Sequence, residues 1–160
     1  MSTLETRYGT TSPRTDELPR AFTFGEFARG AACAWLWFQP IGVFLGGIGF
    51  GIGEGETGFG IIATVFGVPV SFAATVAGSP LAFLLGLRLR RRRRDLTHVT
   101  AFALYGGAWG YLVQWLIFGH PTEPAAVAIA YTLATSAAVV LGWWTTSRLA
   151  LRRDRIGRDE

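Results

Sequence analysis

Two glutamines, Gln39 and Gln114, stand out because each interrupts an otherwise apolar run. An amide in hydrocarbon is costly unless its donors and acceptors are met. Such a side chain either bonds across to a neighbouring helix or lines a hydrated path. Gln39 precedes Pro40, whose ring frees a carbonyl one turn earlier, and an amide beside that defect is placed to satisfy it. The other polar groups inside apolar runs are hydroxyls and phenols: Ser71, Thr75, Tyr105, Tyr111, Tyr131, Thr132, Thr135 and Ser136. Hydroxyls in membrane helices bond to their own backbone or to a neighbour, at under about 1 kcal/mol each.

The stretch GGIGFGIGEGETGFG, from Gly46 to Gly60, contains a GxGxxG spacing at Gly53, Gly55 and Gly58. A dinucleotide fingerprint needs a preceding strand, a following helix and an acidic residue about 20 positions on. None of that context is present, and Glu54 and Glu56 would repel phosphate. The leading reading is backbone approach and turning; an external cation held by Glu54 and Glu56 is the sharper alternative. His98 and His120 bracket one apolar segment, about 33 Å apart along a helix, too far to share a metal or haem. His120 with Glu123 offers too few ligands for a metal or pH sensor. There is no HExxH, no GxSxG and no carboxylate within an apolar run. Gly78-Ser79-Pro80 is the nearest thing to a serine motif and has no base to activate it. No catalytic, cofactor-binding or metal-binding residue is therefore assigned, and an enzyme is not expected.

These groups are carried by four apolar segments of the length a bilayer requires, about 20 residues each. They run from about 31 to 50, 59 to 87, 99 to 118 and 125 to 146, with no Asp, Glu, Lys or Arg inside. Residues 1–30 form a polar lead-in, with Leu18, Phe22 and Phe27 among charges as a possible headgroup-layer helix, and 148–160 form a basic tail. The order, polar before apolar, is not that of a signal peptide. The second segment is long and holds Pro69 and Pro80, so a kink or break is expected, with Ser79 capping a new helix at Pro80. Charged residues make up 16% of the chain, well below the quarter usual in soluble domains, which supports the membrane reading. The lone Cys33 excludes an intrachain disulfide and reads as a small buried filler.

All fifteen basic residues are arginine. They fall before the first segment, after the fourth, and between the second and third, where Arg88, Arg90, Arg91, Arg92, Arg93 and Arg94 cluster. The other two connections carry only Glu54, Glu56 and Glu123. The positive-inside rule then puts both termini and the arginine loop in the cytoplasm, as in a multi-pass protein of a bacterial inner membrane. Trp35, Trp37, Trp143 and Trp144 fall at the inner interface and Trp115 near the outer one. The arginine cluster fixes topology and is placed to attract anionic lipid headgroups, with docking of an acidic cytosolic protein as a further option; nucleic acid is not an expected partner.

Small residues recur four apart, the spacing that lets membrane helices approach closely. Gly42 and Gly46 lie on the first segment, and Gly106 and Gly110 on the third. Ala126, Ala130, Ala134, Ala138 and Gly142 lie on the fourth. The second carries two ridges, one through Gly67, Ser71, Thr75 and Ser79 and one through Ala74, Gly78, Ala82 and Gly86. Two ridges predict that this segment is central. The fold class expected is an all-α integral membrane protein: a four-transmembrane-helix bundle, N-in and C-in, with Gly/Ala-rich close packing. The function expected first is a non-enzymatic accessory or regulatory subunit that packs by these ridges against another membrane protein. The alternative is a homo-oligomeric channel or passive transporter lined by Gln39, Gln114 and the fourth-segment hydroxyls Thr132, Thr135 and Ser136.

Overall fold

A computed structural model of the chain describes residues 14, 15, 17, 18, 20–53, 59–120 and 125–159. Among these residues the structure is all-helical: α1 (Phe24–Gly53), α2 (Phe59–Leu89), α3 (Asp95–Phe118) and α4 (Ala125–Asp159). Each contains a stretch long and apolar enough to cross a membrane, which marks a multi-pass membrane protein. Glu54, Glu56, Glu123 and the Gly55–Gly58 part of the GxGxxG spacing lie outside the described residues.

The helices exceed the expected segments at several ends, and the boundary residues explain why. α1 begins at Phe24 because Thr23 and Glu26 form a reciprocal cap: the Glu26 amide donates to Thr23 Oγ1 at 3.2 Å, and the Thr23 amide donates to Glu26 Oε2 at 2.9 Å. Of the residues expected to lie as a separate surface helix, Phe27 thus joins the first span, whereas Leu18 and Phe22 precede it without helical structure. α3 ends at Gly119, whose φ of 71° is left-handed and whose amide donates back to the Trp115 carbonyl at 2.8 Å. Glycine adopts that conformation at no steric cost. α4 continues as helix through most of the basic tail, to Asp159.

α2 runs unbroken through both prolines, contrary to the expected break near Gly78. Ser79 does not cap a new helix; its hydroxyl donates to the Thr75 carbonyl at 2.7 Å, inside the old one. Freed backbone groups at a proline are tolerated in membrane helices when neighbouring side chains attend to the backbone. Here α3 supplies them on either side of Val76, the residue whose carbonyl loses the amide that Pro80 lacks. Trp109 Nε1 donates to the Ala74 carbonyl at 3.1 Å, and Tyr105 donates to the Gly78 carbonyl at 2.7 Å.

The helices form a ring in the order α1, α4, α3, α2. α1 and α4 make the most extensive contact, α3 and α4 the next, and α2 touches α3 least. The central helix is therefore α4, not the second segment. Val127, Ala134 and Ala138 on α4 are almost fully buried. At the α1–α4 seam a Cβ on Gly142 would lie 2.6 Å from the Ala34 Cβ, and one on Gly46 would lie 2.9 Å from the Tyr131 hydroxyl. At the α3–α4 seam a Cβ on Gly106 would lie 2.9 Å from the Thr135 carbonyl oxygen. On α2 a Cβ on Gly78 would lie 2.7 Å from the Tyr105 hydroxyl and one on Gly86 2.9 Å from the Phe22 ring, whereas among the described residues nothing lies within 4 Å of the corresponding point on Gly67.

Candidate functional site

The loose seating of α2 leaves a cavity of about 550 Å³ along the bundle, with all four helices in its wall. On α3 the lining runs from His98 to Phe118. Twenty residues of helix rise about 30 Å, the thickness of a bilayer's hydrocarbon core. The wall is mainly apolar. Away from the arginine end its polar groups fall on α2 (Ser71, Thr75, Ser79), α3 (Tyr105, Trp109, Gln114), α1 (Gln39) and α4 (Tyr131, Thr135); Arg14, Arg20, Glu26, His98, Thr146 and Ser147 line that end.

Most of the donors in this wall are engaged by acceptors within the protein. Ser71 donates to the Val68 carbonyl at 2.9 Å, Thr75 to the Ser71 carbonyl at 2.8 Å and Thr135 to the Tyr131 carbonyl at 2.8 Å. Gln39 Nε2 donates to the Trp35 carbonyl at 2.9 Å and to Ser71 Oγ at 3.3 Å. Trp35 Nε1 also donates to Ser71 Oγ, at 3.2 Å. Gln39 thus bridges α1 to α2, and it uses the Trp35 carbonyl rather than the Leu36 carbonyl that Pro40 frees.

Gln114 is buried at 7% exposure between α3 and α4. Its Nε2 lies 3.3 Å from the Gly110 carbonyl, 3.3 Å from the Ala128 carbonyl and 3.1 Å from Thr132 Oγ1. Two of these three partners are carbonyls, which only accept, so the nitrogen is assigned to this side of the amide. The opposite oxygen, Oε1, is buried and accepts no hydrogen bond from the described residues. A buried orphan of this kind costs about 1–3 kcal/mol.

The polar residues singled out by sequence thus divide. Gln39, Gln114 and Thr135 line one cavity of a single chain, together with Gly42, Gly67 and Gly110. Thr132 and Ser136 sit in the α3–α4 seam instead; Ser136 donates to the Ala103 carbonyl at 2.9 Å. Ala130 and Ala134 are buried on α4. Tyr105 and Trp109 are the site residues whose weight sequence reasoning missed, and a signal for them existed. His98, Phe102, Tyr105, Trp109 and Val113 recur three or four apart, so they share one helix face. His98 belongs to that face: it is 3% exposed and stacks on Trp143, ring centroids 5.3 Å apart. Trp35 and Trp143 likewise turn inward, whereas Trp37, Trp115 and Trp144 are exposed, with Arg148 4.3 Å over the Trp144 ring.

The arginine end of the cavity is crossed by the segment before α1. Arg14 and Arg20 line the cavity there. Arg14 Nη2 donates to Glu26 Oε1 at 3.0 Å, Arg20 pairs with Asp95, and the Arg20 amide donates to the Arg90 carbonyl at 3.2 Å. Phe22 and Phe27 pack on Phe83 of α2, at 5.6 and 5.0 Å between centroids. Arg88, Arg91, Arg92 and Arg94 are exposed, and Arg90 is partly covered. Among the described residues no three His, Cys, Asp or Glu side chains gather to hold a metal. No protein-family model, curated protein or solved structure matches the chain.

Proposed function

We propose that the protein is a small non-enzymatic membrane protein that binds a neutral amphiphile inside its bundle and eases its passage across the bilayer. The observation that carries this is the cavity itself. At about 550 Å³ it is of the size that holds small ligands, and it is mainly apolar with few polar groups, as such sites are. Its lining extends over a bilayer's thickness. An apolar molecule crosses lipid unaided, but a polar group attached to it loses its hydrogen bonds in hydrocarbon, at a cost of several kcal/mol. Ser79 and Thr75 stand four apart on α2 and offer successive hydroxyl oxygens to such a group, whereas Ser71 Oγ already accepts from Trp35 and Gln39. An ion is a poor cargo, because among the described residues no charged side chain lines the cavity between its two ends.

In this reading both termini and the arginine loop face the cytoplasm of a bacterial inner membrane, by the positive-inside rule. Arg88 and Arg90–Arg94 sit against anionic headgroups there. Close approach at small residues holds α1, α4 and α3 together, and one chain suffices to form the path. The test is binding and transbilayer movement of an uncharged fluorescent amphiphile, with the purified chain in liposomes. Thr75→Trp, which fills the cavity, is expected to abolish both; unchanged movement in that variant would falsify the proposal.

A second reading is the accessory subunit. It is favoured by Gly47 of α1, where a Cβ would meet no atom of the described residues within 4 Å. A partner helix would fit there, and co-purification of a second membrane polypeptide at fixed stoichiometry, lost in Gly47→Leu, would establish it.

A further inference from the structure

We infer that the cavity selects for a hydrogen-bond donor on its ligand: a hydroxyl or N–H group, not a carbonyl or ether oxygen. The inference rests on the amphiphile-binding reading and specifies the chemistry of the polar end. It follows from an imbalance in the wall at membrane depth. The donors of Ser71, Thr75, Ser79, Tyr105, Trp109 and Thr135 are each committed to a backbone carbonyl. Both glutamine amide nitrogens are engaged as well. Ser71 Oγ already accepts twice, from Trp35 and Gln39, but the hydroxyls of Thr75, Ser79, Tyr105 and Thr135 donate and keep lone pairs to accept, so the wall at this depth is left rich in acceptors and poor in donors. Tyr131 adds one hydroxyl able to serve in either sense.

Gln114 sharpens the imbalance. Its Oε1 is a full amide acceptor that finds no partner among the described residues, and it is enclosed by protein, so a ligand donor reaches it only where the amide turns toward the cavity that Gln114 lines. A ligand donor that reaches it satisfies two orphans at once. A ligand with acceptors alone leaves that oxygen unpaired and meets other acceptors along the stretch between Ser79 and Gln114. The order of preference is therefore set by hydrogen-bond sense, where shape and apolar area are held equal.

Two isomers separate these terms: 1-nonanol, which donates and accepts, and methyl octyl ether, which only accepts. Each would be titrated against 1-aminoanthracene bound to the purified full-length chain in detergent, with partition into protein-free micelles subtracted. The alcohol is expected to displace the dye at a concentration roughly 3- to 10-fold lower than the ether, the factor that one net hydrogen bond supplies. In Gln114→Met the preference is expected to fall at least twofold while the ether's own affinity holds or improves. Equal displacement by the two isomers in the wild-type chain overturns the inference, and this comparison stands even where the variant fails to fold. A preference left unchanged in a folded Gln114→Met removes Gln114 from it. Both isomers failing against a dye that binds would also overturn it. A wild-type chain that binds neither dye nor isomer sinks the amphiphile-binding reading itself.

Discussion

The α1–α4 seam and the flank held by α2 solve the same problem by different means. At the seam, Gly142 meets Ala34 so closely that a single added methyl would lie 2.6 Å from the neighbouring Cβ. Contact there is backbone against side chain over many residues, and dispersion accumulates atom by atom. On the other flank α2 stands off. Directed bonds fix it, from Tyr105 and Trp109 to its carbonyls and from Trp35 and Gln39 to Ser71. In lipid, where there is no hydrophobic drive between helices, both devices hold a helix in place. Close packing leaves no room, whereas side-chain tethers hold a helix at arm's length and leave a space. The cavity is the result of using tethers on one side only.

The same methyl group placed in the two regions gives the largest contrast. Gly142→Ala is expected to lower stability by about 2–3 kcal/mol, as overpacking of a filled interior does. Gly67→Ala is expected to change it by less than about 0.5 kcal/mol, because the new atom meets nothing. Denaturant titration of the detergent-solubilised chain measures both, and equal losses would mean that the two flanks are packed alike.

Gln114→Leu comes next, at about 1–2 kcal/mol. The substitution removes the bridge to Ala128 and Thr132, and the loss of Oε1, which has no partner, offsets part of that cost. A thermal melt identical to wild type would remove Gln114 from the structural account. Tyr105→Phe with Trp109→Phe is smaller in stability, about 1 kcal/mol for the pair at the average of membrane hydrogen bonds. Its signature is local: faster backbone hydrogen exchange across 70–82, with α4 unaffected. Exchange that rises equally in α4 would show that α2 is not separately tethered. Ser71→Ala is the mildest, under about 1 kcal/mol. It is expected to loosen only the arm to α1, read as faster exchange near residues 68–72.

The number of spans could be read from the sequence because the bilayer imposes a length and an apolar composition that four segments meet and no other does. Helix ends were less legible. The cap made by Thr23 and Glu26 lies among charges that read as a tail, and no apolar signal marks it. Which helix is central was misjudged for a specific reason. Small residues on two faces of α2 fit two close neighbours equally well as they fit a wall beside an empty space, and spacing alone does not distinguish a filled groove from a void. Gln39 and Gln114 were identifiable because an amide in hydrocarbon demands partners, but the identity of those partners depends on helix rotation, which no single span encodes. Tyr105 and Trp109 were legible as a face and not as tethers, since their acceptors are backbone carbonyls and carry no residue type.

The pairing of the first helix with the last has a consequence for how the protein is made. Ala34 and Gly142 sit near opposite ends of the chain, and the contact between their helices is the largest in the molecule. As the chain enters the membrane span by span, α1 arrives with its main partner still unsynthesised. For that interval its glycine face is exposed to lipid or to whatever helix is nearest, and α2 and α3 have only the tethers and a light contact to hold them. A ribosome that stalls before α4 would therefore release not a weakened bundle but an open one, with its most sociable surface uncovered. Surveillance of unassembled spans would find this protein at that stage, and its completed form would escape the moment Gly142 closes over Ala34.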